Sequence, residues 1–241
     1  MLRGAGTTLL VAFVGTAFGC LIGFIIGIAN TIPIEKRYNP FTKAILRVMR
    51  AILGVYVEVF RGTPMMVQAV FIFYGARIAG IEMDRMLAAF LIVSINTGAY
   101  MAETVRGGIL SIDPGQTEGA KAIGMTHFQT MTSAILPQAL RNIMPQIGNN
   151  LIINIKDTCV LSMISVVELM FASKTVAGAY LVYFETYTIT MVMYLAMTLF
   201  FSRILRIIEK KMEGNKSYDL ATTDTLAHTS GMINYLEDVR R

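Results

Sequence analysis

The chain has 241 residues, of which 54% are hydrophobic and 15% are charged, whereas soluble domains average roughly 45–50% and 25%. Because crossing a bilayer takes about 20 apolar residues, this length holds several spanning helices and little else. The composition argues against a soluble enzyme. The net charge of +5 is interpreted as a determinant of membrane orientation, since Lys and Arg flank membrane spans on one side, and not as a sign of nucleic-acid binding.

The first predicted span covers residues 4–34 and contains no charged residue. Four of its glycines recur every fourth residue, so they share one face of a helix. Small residues on one face let a neighbouring helix approach closely. These glycines are Gly15, Gly19, Gly23 and Gly27.

Four more apolar stretches follow, at 51–76, 86–102, 142–167 and 186–202. The sequence therefore predicts an all-α polytopic membrane protein with about five transmembrane helices. A polar and basic loop and an amphipathic segment are predicted over 35–50, before the second span. Residues 1–213 form the predicted membrane domain, and residues 214–241 a polar cytoplasmic tail that is either disordered or one short amphipathic helix.

The segment at 106–141 is too polar to cross the membrane, and Asp113-Pro114-Gly115 within it is a turn signal. Short helical stretches ended by Pro137 are expected around that turn. Most lysines and arginines fall on one side of the membrane if the N-terminus is outside. The positive-inside rule then places this segment and the C-terminus in the cytoplasm.

Catalytic and metal-binding patterns are missing from the sequence. It has no phosphate-binding loop of the Walker A type, no dinucleotide-binding glycine pattern, no HExxH and no Ser/His/Asp grouping. The two cysteines, Cys20 and Cys159, lie in apolar stretches and indicate neither disulfides nor a metal site. A transport or channel function is expected, and any ATP and Mg²⁺ would be bound by another chain.

The predicted cytoplasmic loop contains Glu118-Gly119-Ala120, then Gly124, then Leu136-Pro137. This pattern resembles the EAA loop of the permease subunits of bacterial ABC importers: Glu-Ala-Ala, three residues, Gly, nine residues, then Ile-x-Leu-Pro. Gly119 replaces the middle Ala and Ala134 replaces the Ile. The resemblance implies that Glu118, Gly119, Ala120, Gly124 and Pro137 contact an ATPase subunit.

Other motifs are similar to those of the polar amino acid uptake family, the histidine and glutamine type, over about residues 4–213. They are Phe60-Arg61-Gly62-Thr63-Pro64, Ala99-Tyr100-Met101-Ala102-Glu103, Asp113-Pro114-Gly115-Gln116, Pro137-Gln138-Ala139 and Ile155-Lys156-Asp157-Thr158. Relative to that family the N-terminus is short, so further residues are expected before Met1.

This resemblance implies the type I importer fold and a permease that pairs with itself or with a homologous permease. It also implies two ATPase subunits on the cytoplasmic face and an external binding protein that delivers the substrate. An ion-coupled secondary transporter or a channel is the alternative, since charges within spans are typical of those proteins too. The span before Asn30 has no acidic residue, which favours glutamine or another polar or acidic amino acid over a basic one.

Three polar residues within predicted spans are candidates for binding the substrate. Asp157 falls near the middle of its span, where ionisable groups usually face a bundle interior or a wet cavity. A carboxylate there can bind the ammonium group of an amino acid, while the amides of Asn96 and Gln68 serve its polar groups. Pairing of Asp157 with a basic residue on another span is the alternative.

Glu58 and Arg61 lie three residues apart and therefore share a helix face. Each charge alone near the bilayer centre costs roughly 2.5–3.5 kcal/mol. A structural charge pair, or contacts with neighbouring spans, is therefore expected, with substrate contact as the alternative.

Overall fold

The computed structural model describes residues 1–34 and 38–212, and every regular element within them is helical. The α-helices are α1 (Leu2–Thr31), α2 (Pro40–Gly62), α3 (Met65–Ile78), α4 (Arg85–Leu110), α5 (Pro114–Ala122), α6 (His127–Thr130), α7 (Leu136–Asp157), α8 (Leu169–Tyr180) and α9 (Tyr183–Met212). A π-helical turn, Met131–Ile135, precedes α7, and a 3₁₀ helix, Thr158–Ile164, follows it. The predicted all-α fold is confirmed, and the predicted tail at 214–241 lies outside the described residues.

The spans differ in detail from the five that the sequence predicts. Helices α1, α4 and α9 are each long and apolar enough to cross a bilayer alone. The stretch His127–Ile164 together with α8 forms a fourth candidate, bent by 55°. The predicted span at 51–76 is instead two helices, α2 and α3, in the described chain.

The glycine face of α1 packs directly on α4. A Cβ atom added to Gly19 would lie 2.5 Å from Thr97 Cβ, and one added to Gly27 would lie 2.6 Å from Val105 Cβ. Gly15 and Gly23 contact α4 in the same way, opposite Val93 and Met101. Both sets of contacts advance by four residues in the same chain direction, so α1 and α4 are parallel. The prediction from glycine spacing is confirmed.

Proline ends α2 and starts α3. The ring of Pro64 disfavours helical backbone at the preceding residue, and Thr63 is extended, with φ −121° and ψ 146°. The Thr63 hydroxyl donates to Val59 O at 2.8 Å, which satisfies one carbonyl that the break leaves without its helical partner. Side chains commonly satisfy such groups where a helix breaks in a membrane.

The chain turns sharply between α7 and α9. Ser165, after the 3₁₀ helix, and Leu181, after α8, both have left-handed backbone, with φ 60° and 57°. These two residues end their helices and direct α8 against α1 and α9.

Candidate functional site

The predicted cytoplasmic loop folds into two short helices joined by a glycine turn. The Asp113 carboxylate accepts from Gly115 N at 2.8 Å and caps the N-terminus of α5. At the other end Gly124 adopts φ +82°, and the amides of Gly124 and Met125 donate to Lys121 O and Ala120 O. This is the Schellman arrangement, which requires a left-handed residue and therefore favours glycine.

The predicted coupling residues are not equally accessible on this loop. Glu118, Gly119 and Gly124 are exposed, whereas Ala120 is only 8% exposed. The Ala120 side chain packs inward, so within this chain it is not a surface contact. Pro137 is exposed, but it lies in the first turn of α7 and does not end a helix as expected. Proline is compatible with that position because a first-turn N–H has no helical partner.

Two large apolar side chains flank the glycine turn. Ile123 is 79% exposed and Phe128 is 75% exposed. The sequence analysis did not select them, because single apolar residues are common on surfaces. They lie on either side of Gly124 in the chain, and Glu118 on α5 is exposed as well.

A polar cavity of about 270 Å³ lies where the α2–α3 break meets α4 and α7. It is lined by Thr63, Pro64, Met65, Asn96, Thr97, Tyr100, Asn150, Ile153, Asn154 and Asp157. Within the described chain, this cavity brings together two of the three predicted substrate residues, Asp157 and Asn96.

Asp157 is the last residue of α7, at the change to the 3₁₀ helix. Its carboxylate makes no ion pair or hydrogen bond with the described residues. Lys156 is exposed and does not line the cavity, as expected for adjacent helical residues, which point in different directions. The pairing alternative thus finds no partner within residues 1–34 and 38–212, and the carboxylate is free to meet a ligand.

Gln68, the third predicted substrate residue, does not line this cavity. It is buried on α3, and its Nε2 donates to Phe60 O and Thr63 O, each at 2.9 Å. Its Oε1 accepts from Asn96 Nδ2 at 2.9 Å. Gln68 therefore satisfies carbonyls at the α2–α3 break and links that break to α4. Sequence spacing could not reveal these partners, since Asn96 is 28 residues away.

Asn154, another polar residue of the cavity lining, ties three helices together. Asn154 Nδ2 donates to Thr16 Oγ1 on α1 at 2.7 Å and to Thr97 Oγ1 on α4 at 2.9 Å. The Asn96 Oδ1 atom accepts no hydrogen bond from the described part of the chain, so it remains available as an acceptor at the cavity wall.

The N-terminus of α3 lies at the same cavity. Pro64 is the N-cap residue and Met65 the first helical residue, and both line the cavity. The first N–H groups of a helix have no intrahelical partner and carry partial positive charge. One wall of the cavity therefore suits an anionic group, and the Asp157 wall suits a cationic one.

Glu58 and Arg61 do not form the predicted charge pair. Both are exposed, and the ion pair found among the described residues joins Arg106 to Glu103 on α4, at 2.5 Å. The Arg61 guanidinium instead lies 5.7 Å from the centre of the Tyr100 ring, a cation–π contact between α2 and α4. Arg61 therefore contacts a residue that lines the cavity.

Sequence analysis missed a fully buried carboxylate, Glu168, which caps α8. It accepts from Met170 N at 2.8 Å and Phe171 N at 2.7 Å. Tyr194 on α9 donates its hydroxyl to Glu168 at 3.0 Å, and the Thr8 hydroxyl on α1 approaches at 3.5 Å. Buried charges are tolerated when they are hydrogen-bonded in this way, so Glu168 fixes three helices at one point.

Similarity to known proteins identifies the family of this chain. Residues 19–214 match the family model described as "Binding-protein-dependent transport system inner membrane component". The chain belongs to this family. It is an amino acid ABC importer permease.

Relatives at about one third identity support that assignment. The glutamine transport system permease protein GlnP of Escherichia coli K12 is 35% identical over 215 residues, which cover 88% of this chain and 93% of GlnP. The probable amino-acid ABC transporter permease protein YckA of Bacillus subtilis is 33% identical over 211 residues, 88% of each chain.

Solved structures share the fold. A crystal structure of an amino acid ABC transporter with histidines matches with a TM-score of 0.77 at 33% identity, covering 87% of this chain and 92% of that one. The inward-facing MetNI methionine ABC transporter matches with a TM-score of 0.72, over 88% and 95% of the two chains. Because its identity is 21%, it supports the type I importer fold alone.

Membership in the family defines which part of the transport is carried out by this chain and which by other subunits. The permease is a multi-pass inner-membrane component without catalytic activity or a cofactor of its own, and ATP is hydrolysed by a separate subunit of the transporter complex. This assignment replaces the alternative of an ion-coupled secondary transporter or channel.

Proposed function

We propose that this permease translocates a polar amino acid, with glutamine favoured, through the cavity between the α2–α3 break, α4 and α7. The observation that carries the proposal is the pairing of opposite polarities in one cavity. The unpaired Asp157 carboxylate and the N-terminus of α3 both line it. An amino acid carries an ammonium and a carboxylate, which match these two groups in charge.

The substrate's two charged groups have defined partners in this proposal. Asp157 receives the α-ammonium through charge-assisted hydrogen bonds, and the first amides of α3 receive the α-carboxylate, as helix N-termini commonly do for anions. Asn96 Oδ1 is an acceptor for the substrate's side chain, and a glutamine amide supplies a matching donor. The similarity to glutamine permeases supports this choice of substrate.

The complex in this proposal has a second permease subunit, identical or homologous, two ATPase subunits and an external binding protein. The loop bearing Glu118, Gly119 and Gly124 docks on the ATPase, with Ile123 and Phe128 as its apolar anchors. That contact requires the loop to be cytoplasmic, so the N-terminus lies outside and the C-terminus inside, in agreement with the distribution of Lys and Arg.

An Asp157→Asn variant tests the cavity. The permease is reconstituted in vesicles with its ATPase and binding protein, and glutamine-dependent uptake and ATP hydrolysis are measured against glutamine concentration. Losing a hydrogen bond to a charged group costs about 1.5–3 kcal/mol, so the half-maximal concentration is expected to rise roughly 10–100-fold. The assembled complex is expected at normal abundance.

Asp84→Asn is the matched control. Asp84 caps α4 through its side chain, and Asn caps helices about as well as Asp, so this variant removes one carboxylate away from the cavity. An unchanged half-maximal concentration in Asp157→Asn would contradict the substrate role, as would loss of the assembled complex in that variant alone.

A further inference from the structure

A second cavity, of about 290 Å³, lies between α1, α7 and α9, on a face of α7 different from the one that carries Asn150 and Asp157. Its lining residues are Phe13, Thr16, Ala17, Cys20, Met144, Ile147, Gly148, Leu151, Leu205, Ile208 and Glu209. We call it the lateral cleft. Its rim residues Phe13 and Ile208 are 41% and 42% exposed, so the cleft opens to the outer surface of the described helices.

The side chains that line the cleft are mostly apolar, so they favour an apolar ligand. The cleft is large enough for several water molecules, but a bound water needs two to four polar partners. The lining offers few, and the Thr16 hydroxyl already accepts from Asn154. Because α1 and α9 are membrane-spanning by length and composition, the cleft faces the hydrocarbon region, where acyl chains surround the protein.

One charged group defines the end of the lateral cleft. Glu209 lines it near the C-terminus of α9, is half-buried, and makes no ion pair or hydrogen bond with residues 1–34 and 38–212. A carboxylate at the end of an apolar cleft is complementary to an ammonium group that is attached to an apolar chain.

A cation on α7 lies at a similar depth. Gly148 and Leu205 are in contact across the cleft, and Arg141 lies seven residues before Gly148, about 10 Å further along α7. Glu209 lies four residues after Leu205, about 6 Å along the antiparallel α9. Arg141 is exposed and, three residues before Met144, shares the cleft-facing side of α7. It is placed to meet a phosphate.

We propose that the lateral cleft binds one acyl chain of a phospholipid with a primary ammonium head group, phosphatidylethanolamine. The ammonium pairs with Glu209 and the phosphate with Arg141. This lipid site is separate from the translocation cavity and does not depend on which amino acid the permease carries.

The absence of tryptophan from the chain allows a direct test by fluorescence quenching. Phe13→Trp places a single reporter in the lateral cleft. Phe18→Trp, on an exposed face of α1 five residues away, is its matched control. Each full-length variant is reconstituted in vesicles that contain phosphatidylethanolamine or phosphatidylcholine with brominated acyl chains, which quench tryptophan on contact.

At Phe13→Trp, the apparent affinity of brominated phosphatidylethanolamine, measured by quenching, is expected to be about two- to five-fold higher than that of brominated phosphatidylcholine. This is the range for one partly exposed ion pair. At Phe18→Trp the two lipids are expected to be equal. Adding Glu209→Gln removes the preference at Phe13→Trp, whereas Glu185→Gln, at the other end of α9, leaves it intact.

Three results would overturn the proposal. The first is equal quenching by both lipids at Phe13→Trp. The second is a preference that persists with Glu209→Gln while the Phe18→Trp signal shows normal membrane insertion. The third is weaker quenching at Phe13→Trp than at Phe18→Trp by both lipids, which means that protein, such as a second permease copy, fills the cleft.

Discussion

Replacing Gly23 by alanine tests the close packing of α1 on α4. The new Cβ would lie 2.8 Å from Met101 C and 2.9 Å from Ala102 N. These are backbone atoms within a helix, so they cannot rotate away as a flexible side chain does. The two helices must separate or lose contacts along the whole parallel interface.

The expected magnitude combines two opposing effects. Overpacking a tight interface costs about 1–3 kcal/mol, and replacing glycine by alanine within a helix recovers about 1 kcal/mol. Because backbone is involved, we expect a net loss of about 2 kcal/mol. For a chain of this size that corresponds to a fall in melting temperature of roughly 4–8 °C.

Gly6 provides the control on the same helix, because a Cβ added there has no atom within 4 Å. Gly6→Ala is expected to leave the melting temperature unchanged or to raise it slightly through helix propensity alone. Both variants are measured as purified full-length permease in detergent. A Gly23→Ala protein that melts at or above the parent's temperature would refute the packing argument.

Three further outcomes are expected. With the ATPase subunit bound, a cysteine at Ile123 is expected to crosslink to that subunit several-fold more efficiently than a cysteine at Ala120, because the Ala120 side chain is buried. The reverse order would contradict the proposal that Ile123 contacts the ATPase. Gln68→Met, which keeps the size but removes the amide, lowers the free energy of unfolding by about 1–3 kcal/mol because carbonyls at the α2–α3 break lose their donor; unchanged thermal unfolding would show that they find other partners. Glu168→Gln removes one acceptor from the α8 cap and is expected to lower the free energy of unfolding by a similar amount in the same assay. At the exposed Glu185, the same substitution is expected to shift it by less than about 0.5 kcal/mol. Equal shifts would contradict a stabilising role for the hydrogen bonds of Glu168.

Features that depend on periodicity or on one residue's backbone were predictable from the sequence. The four-residue glycine spacing on α1 defines a face regardless of what packs there, and α4 was found on it. Gly124 was recognised from its place in the motif, and the positive φ there explains why glycine occupies it. The family motifs span the chain, so the fold class followed from them.

Features that depend on distant partners were not predictable. Gln68 and Asn96 were both assigned to the substrate as polar groups within spans, but only the tertiary structure shows that they bond to each other and leave one oxygen free. Glu168 lies at the edge of a predicted span, and its partners Thr8 and Tyr194 are 160 and 26 residues away. Pro64 was visible in a motif, yet the apolar composition around it concealed the break between α2 and α3.

The glycine contacts between α1 and α4 have a mechanical consequence for transport. The side chains of Val93, Thr97 and Met101 on α4 each pack against a glycine of α1. If one helix slid along the other, these side chains would clash with the larger residues between the glycines. The two helices are therefore expected to move as one rigid unit. In the transport proposed above, bending is expected where helical hydrogen bonding is already interrupted. Thr63 and Pro64 line the polar cavity, so movement at the α2–α3 break would change the shape of that cavity while α1 and α4 keep their contacts.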